Sequence, residues 1–166
     1  MVRIACLLVV SVVVVSSAFA AAGVRQPPGM LSVVGGRGVV IIRGNGGLLG
    51  RVAQGSVVVV DLSPSDSWRW SVNGVARDRR ATLKGSDLSF RILGGSYRLT
   101  VAGEGISISA RGAGVVTLAG RPGLTGDTGL YAAGLDADCD AQPDQCQPIP
   151  IVSTRVPFRE PATALR

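Results

Sequence analysis

From about Val33 onward, apolar positions come in short β-branched runs, and glycine breaks the runs. "GVVIIRGNGG", "LLGRVAQG", "SVVVVDLSPSD" and "SWRWSVNG" follow one another along the chain. No segment sustains the helical apolar period of about 3.6 residues. Short strands punctuated by glycine turns predict an all-β fold, an antiparallel sandwich or barrel. The runs "VVII" and "VVVV" are apolar at every position, which predicts strands covered on both faces. Asn73-Gly74, between "WRWSV" and "VAR", predicts a two-residue hairpin.

From Asp87 to Ala119 the pattern predicts a register. A turn at Gly94-Gly95 sets Ile92 opposite Tyr97, Phe90 opposite Leu99 and Leu88 opposite Val101. A turn at Ala102–Gly105 sets Val101 opposite Ile106, Leu99 opposite Ile108 and Tyr97 opposite Ala110. A turn at Gly112–Gly114 sets Ala110 opposite Val116 and Ile108 opposite Leu118. The three turns together give one continuous apolar face, a four-strand meander. A one-residue slip would send that face to solvent, so the register is well specified.

The other face carries Ser89, Arg91, Arg98, Thr100, Ser107, Ser109, Arg111 and Thr117. In this register Arg91 sits opposite Arg98. Like charges directly opposite each other are unfavourable, and an anion or a nearby carboxylate would relieve them. Arg91, Arg98 and Arg111 are therefore candidate ligand-binding residues. Trp68 and Trp70 join them, since they share one side of a strand as a sugar-stacking pair would. The plainer reading is a solvent-facing sheet, with the tryptophans in its core or rim.

The N-terminus adds a destination. "MVR" is followed by the apolar segment Ile4–Val15 and by "SSAFA", which fits a signal peptide over residues 1–20, cleaved after Ala20. The apolar run is short for a membrane span, which needs roughly 20 residues. The expectation is a secreted or extracytoplasmic protein, with no membrane association after cleavage. A linker at 21–32 and a β-domain at 33–124 would follow. Last comes a disulfide loop and irregular Pro-rich tail at 125–166, with room for one late strand in "PIPIVSTRVPF".

Export changes the reading of "GLDADCDAQPDQC". Cys139 and Cys146 are the two cysteines left beyond the leader, and in an oxidising compartment they predict a disulfide. The spacing is not the CxxC of a redox site, and no histidine exists to activate a thiolate. Asp136, Asp138, Asp140 and Asp144 alternate as oxygen ligands around a hard cation do. That pattern resembles the calcium loops of thrombospondin type-3 repeats and, more distantly, an EF-hand loop. It departs from them at Ala141, where glycine makes the sharp turn, and at Gln147, where a closing acid is expected. The resemblance implies weak calcium binding; the alternative is a polar loop tied by its own disulfide. No other cofactor is expected.

Composition narrows the chemistry. The 166 residues suit one domain with a real core. Aromatics are 4%, so valine, leucine and isoleucine must build that core. The net charge of +6 is spread without a block of like charges, which argues against a nucleic-acid arm. "RDRRATLK" gathers Arg77, Arg79, Arg80 and Lys84 and fits either a polyanion contact or a solvated hairpin arm. "GNGGLLG" lacks the GxGxxG spacing of a dinucleotide site and is a turn. There is no histidine and no GxSxG elbow. Asp61, Asp66, Asp87 and Glu104 offer a glycosidase-like carboxylate pair, but Asp87 and Glu104 fall at a strand start and a turn tip, where acids are common, so no catalytic residue is assigned.

The stretches "GRVAQGSVVVVDL" and "DLSFRILGGSYRLTVAGEGISISARGAG" resemble those of small exported β-rich proteins of GC-rich bacteria, which implies an envelope or extracellular location. "LLGRVAQGSVVVVD" resembles short-rung β-solenoids such as bactofilins, an alternative fold against which the hairpin turns argue. The expected function is an exported, non-catalytic β-module that binds an anionic or sugar-like envelope polymer. The rivals are a structural self-assembling envelope protein and a weak calcium-binding extracellular module.

Overall fold

A computed structural model describes residues 28–65, 69–78 and 80–159. The expected leader, Asp66, Trp68 and Arg79 lie outside the described residues. The protein is nearly all β and its strands form one antiparallel sheet that does not close. The strands are β1 (Gly29–Asp61), β2 (Arg69–Val72), β3 (Val75–Ala76), β4 (Arg80–Leu93), β5 (Ser96–Gly120), β6 (Leu130–Gly134), β7 (Gln147–Pro148) and β8 (Thr154–Arg159). They run in the order β3-β2-β4-β1-β5-β8, with β6 paired to β1 and β7 to β6.

β1 has 33 residues and β5 has 25, against a usual strand of about 5–6. They reach that length by bending at glycine. Residues 38–45 of β1 lie between two stretches of β5, so Val40 faces Val101 on one side and Leu118 on the other. Residues 46–51 then pair with 107–112, and 54–61 pair with 97–104. The two strands wind together, and the bends fall where glycine meets glycine: Gly38 with Gly103 and Gly120, Gly46 with Gly112, Gly55 with Gly103. Gly46 and Gly112 have φ of +118° and +152°. A Cβ on Gly112 would strike the carbonyl oxygen of Asn45, and one on Gly46 that of Arg111. Only glycine fits where two backbones approach so closely with positive φ.

The expected four-strand meander does not form. Gly94 and Gly95 do turn, both with positive φ. But β1 enters between β4 and β5. Leu88 faces Val52 rather than Val101, Ile92 faces Leu48, and Leu99 faces Ile42 and Val59. At Ala102–Gly105 and Gly112–Gly114, β5 bends but continues as one strand instead of reversing into a hairpin. The inward set nevertheless holds. Leu88, Phe90, Ile92, Tyr97, Leu99, Val101, Ile106, Ile108, Ala110, Val116 and Leu118 are all buried in one core cluster. Period-two alternation decides which side of a strand faces the core, not which strand lies beside it.

Other expectations resolve locally. Val72 pairs with Val75 across Asn73 (φ +48°) and Gly74 (φ +77°), the left-handed pair that an Asn-Gly hairpin needs. Val40, Ile42, Val57 and Val59 are buried, but Val39, Ile41, Val58 and Val60 are only half-buried. The all-apolar runs are thus not buried on both faces; their outer side chains are shielded by neighbours in the same sheet. The C-terminal segment is not simply an irregular tail. It adds β6, β7 and β8 to the sheet and Ile149 and Phe158 to the core. Prolines mask the alternation there, and Pro157 sits on the end strand β8, where a missing N–H is tolerated. β1 itself begins at Gly29, inside the stretch expected to be linker.

Candidate functional site

Arg98 lies on β5 between the buried Tyr97 and Leu99, so alternation points it outward. Arg43 follows the buried Ile42 on β1 in the same way. The winding of β1 sets Arg43 directly opposite Arg98. Val60 faces Arg98 on the other side and Arg80 beyond it. One row across the sheet therefore reads Arg80, Val60, Arg98, Arg43, Val115, Pro157. The next row reads Thr82, Val58, Thr100, Ile41, Thr117, Arg155. Lys84 and Ser56 open a third.

Arg43, Arg80, Arg98 and Arg155 are exposed, and among the described residues none makes an ion pair. Four ion pairs among the described residues stand elsewhere. Glu104 takes Arg37 at 3.4 Å and Arg121 at 3.3 Å, Asp127 takes Arg37 at 3.4 Å, and Asp87 takes Arg51 at 2.9 Å. Cationic rows with threonine hydroxyls and half-buried aliphatics make a flat platform. Beside Arg43 and Arg155 it dips into a shallow depression of about 360 Å³, bordered by Asn45, Leu62 and Ser96. Guanidinium forks there are free to bind carboxylate or a similar oxyanion in bidentate fashion.

The residues singled out from the sequence are partly separated. Arg98 lies on this platform. Arg91 does not face it: Arg91 pairs with Leu49 and Ser71, and Arg111 with Gly47 and Met30, on another stretch of the sheet. The like-charge pair is real but its partner is Arg43, because β1 occupies the place beside β5. Trp70 is buried, and its indole Nε1–H donates to the carbonyl of Asp78 at 2.6 Å, so it packs in the core and offers no stacking face. Trp68 lies outside the described residues. Arg43 and Arg155 carry no local sequence signal; only the long-range register reveals them.

Cys139 and Cys146 are joined by a disulfide, Cα–Cα 5.8 Å. Cys139 is buried, and its backbone N–H donates to Ser32 Oγ at 2.9 Å, which ties the loop to β1. The aspartates beside it do not assemble a cage. Asp138 turns its carboxylate inward to accept the backbone N–H groups of Asp140 and Ala141, both at 3.1 Å. Among the described residues, no three His, Cys, Asp or Glu side chains are placed to hold a metal, so Asp136, Asp138, Asp140 and Asp144 are not brought together as ligands. These two short Asx-type bonds occupy Asp138 Oδ1, one of the oxygens that a cation would need.

Tyr97 is the largest fully buried side chain. Burial pushes its phenol well above the ordinary tyrosine range. Its hydroxyl makes no hydrogen bond among the described residues and has no access to a substrate. No helix among the described residues is long and apolar enough to cross a membrane. The chain matches no family model, no curated protein and no solved structure. A functional reading therefore has to come from the site itself.

Proposed function

We propose that this is an exported, non-catalytic β-module that binds an anionic sugar polymer of the cell envelope along the Arg43–Arg98 platform. The observation that carries the reading is Arg43 held directly opposite Arg98, with Arg80 in the same row and no ion-paired carboxylate among them. Opposed like charges are unfavourable in the free protein, and a bound polyanion relieves them. The half-buried Val58, Val60 and Ile41 offer apolar contact to sugar ring faces, and Thr82, Thr100 and Thr117 offer hydroxyls. Single exposed ion pairs contribute only about 0–1 kcal/mol each. A repeating ligand that engages several of them together gains from effective concentration. The wound sheet fits a sandwich, in which β1 and β5 cross between two layers at their glycine bends and a single core lies between.

Co-sedimentation with polygalacturonate, with neutral dextran as control, tests the reading. Binding should be specific to the anionic polymer, weaken as salt rises, and fall at least ten-fold in Arg43→Glu/Arg98→Glu. Equal retention on dextran, or unchanged affinity of the double variant, would refute it.

Self-assembly remains a rival because β4 pairs with β2 only from Phe90 onward, which among the described residues leaves 80–86 paired with β1 alone, as a sheet edge. Arg80 and Lys84 on that edge are the charges that natural sheets use to discourage pairing. Concentration-dependent filaments in sedimentation velocity runs would favour assembly.

A further inference from the structure

A second cationic depression lies away from the platform. Leu49 of β1 stands between Arg91 of β4 and Ser109 of β5, and in the next row Gly47 faces Arg111. Together with Leu93 these residues border an open hollow of about 310 Å³. Its volume is at the small end of ligand sites. Neither Arg91 nor Arg111 makes an ion pair among the described residues. Leu49 and Leu93 are 56% and 45% exposed, which is high for leucine in a strand and gives the hollow apolar lips.

Gly47 is the informative residue. Its neighbour Gly46 is required by a backbone clash. At Gly47 a Cβ would meet nothing nearer than the Ile92 carbonyl oxygen at 4.0 Å, and its backbone is not left-handed. The fold therefore does not demand glycine there. What the missing side chain does is keep the floor between Leu49, Arg91 and Arg111 open.

We infer that this hollow is a second, independent site for a carboxylate-bearing sugar residue, with the carboxylate between Arg91 and Arg111, the ring against Leu49 and Leu93, and a hydroxyl at Ser109. The inference rests on the platform reading and extends it. Arg98 and Arg91 belong to stretches of sheet whose inner faces, around Leu99 and Ile92, share one core cluster. In the two-layer sandwich proposed above, their outer faces point away from each other. One molecule carries two sites on opposite sides, so it bridges two polyanion chains instead of coating one.

The test uses the purified oxidised protein and two probes, a hexamer of galacturonic acid and long polygalacturonate. Calorimetry should find two hexamers per protein, and long polymer should form light-scattering networks that dissolve in protein excess. Arg91→Gln/Arg111→Gln should bind one hexamer and lose the scattering, and so should Gly47→Val, which fills the hollow without touching charge. Arg43→Gln/Arg98→Gln should also bind one hexamer, at the hollow. Arg51→Gln/Arg121→Gln removes equal charge elsewhere and should keep two. Circular dichroism confirms that each variant folds. Two hexamers retained by Arg91→Gln/Arg111→Gln, or a single wild-type hexamer that is lost in Arg43→Gln/Arg98→Gln, overturns the bridging inference and leaves the platform reading standing; a single hexamer that survives in Arg43→Gln/Arg98→Gln defeats the platform reading. No hexamer bound by the wild type defeats both.

Discussion

Gly112→Ala should be among the most damaging single-methyl additions in the protein. Gly112 sits at φ +152°, and its Cβ would strike the carbonyl oxygen of Asn45 on the paired strand. Holding a non-glycine residue in such a backbone conformation costs on the order of 1–3 kcal/mol. Forcing a methyl into a closed contact costs about 1–3 kcal/mol more, because both strands must shift. The obstruction is backbone and cannot rotate away. The sum, on the order of 2–6 kcal/mol, is a large part of a typical domain stability of about 5–15 kcal/mol. The matched control is Gly47→Ala, where a Cβ has space and an ordinary φ. It should be neutral, or stabilising by about 0.4–1 kcal/mol through the stiffer unfolded chain. Urea unfolding followed by far-ultraviolet circular dichroism measures both. Gly112→Ala within about 0.5 kcal/mol of wild type, the range of ordinary surface changes, would refute the glycine-bend account.

Leu99→Ala, at a fully buried site between Ile42 and Val59, should lose about 2–5 kcal/mol, and half-exposed Thr100→Ala should stay within about 0.5 kcal/mol; similar losses would mean the register is wrong. Tyr97, whose folded phenol titrates above its unfolded value near 10, contributes stability that is intact below that pH and lost as pH rises above it. Tyr97→Phe should flatten this alkaline loss in urea midpoints taken from pH 8 to 11 and be no less stable at pH 7, where it deletes a buried hydroxyl without a partner; an unchanged alkaline slope would count against the burial. The oxidised protein should show no free thiol to Ellman's reagent, and Cys146→Ser should lower stability by about 2.5 kcal/mol on the loop-entropy model; two free thiols in native protein would overturn the bridge.

How far the sequence could be read depends on what each pattern encodes. Alternation along Leu88–Ile92 and Tyr97–Leu118 encodes facing, and every residue assigned to the inward side is buried. The same letters do not encode which strand comes alongside. Gly94-Gly95 can end a hairpin or let a strand step aside for β1, and nothing local distinguishes the two. Glycines at 103, 105, 112 and 114 were equally ambiguous between reversal and bend. Asn73-Gly74 was not ambiguous, because its left-handed pair is a local property of the turn. The disulfide was legible from the pair of cysteines beyond the expected leader. For Trp70 the spacing with Trp68 left sugar stacking open beside the plainer core reading; burial and the indole's bond to Asp78 from across the hairpin, a contact that period-two reasoning cannot see, decide for the core.

The wrong partner and the right charge conflict share one cause, and it ties the glycines to the candidate site. Arg43 and Arg98 are far apart in the chain and meet only because β1 bends near Gly38 and Gly46 and comes back along β5. Facing alternates residue by residue, so a one-residue slip at Gly46 would carry Arg43 toward the core side and Ile42 to solvent. Gly44, next to Arg43, is closed as well: a Cβ there would meet the carbonyl oxygen of Ala113. The bends thus do two jobs. They let an unusually long strand cover its own core, and they bring cations from distant segments into one row that the register forbids to separate. A protein stabilised only for itself would gain by placing a carboxylate opposite Arg98. The chain instead fixes Arg43 there by backbone geometry, a choice that makes physical sense where the balancing negative charge comes from outside the molecule.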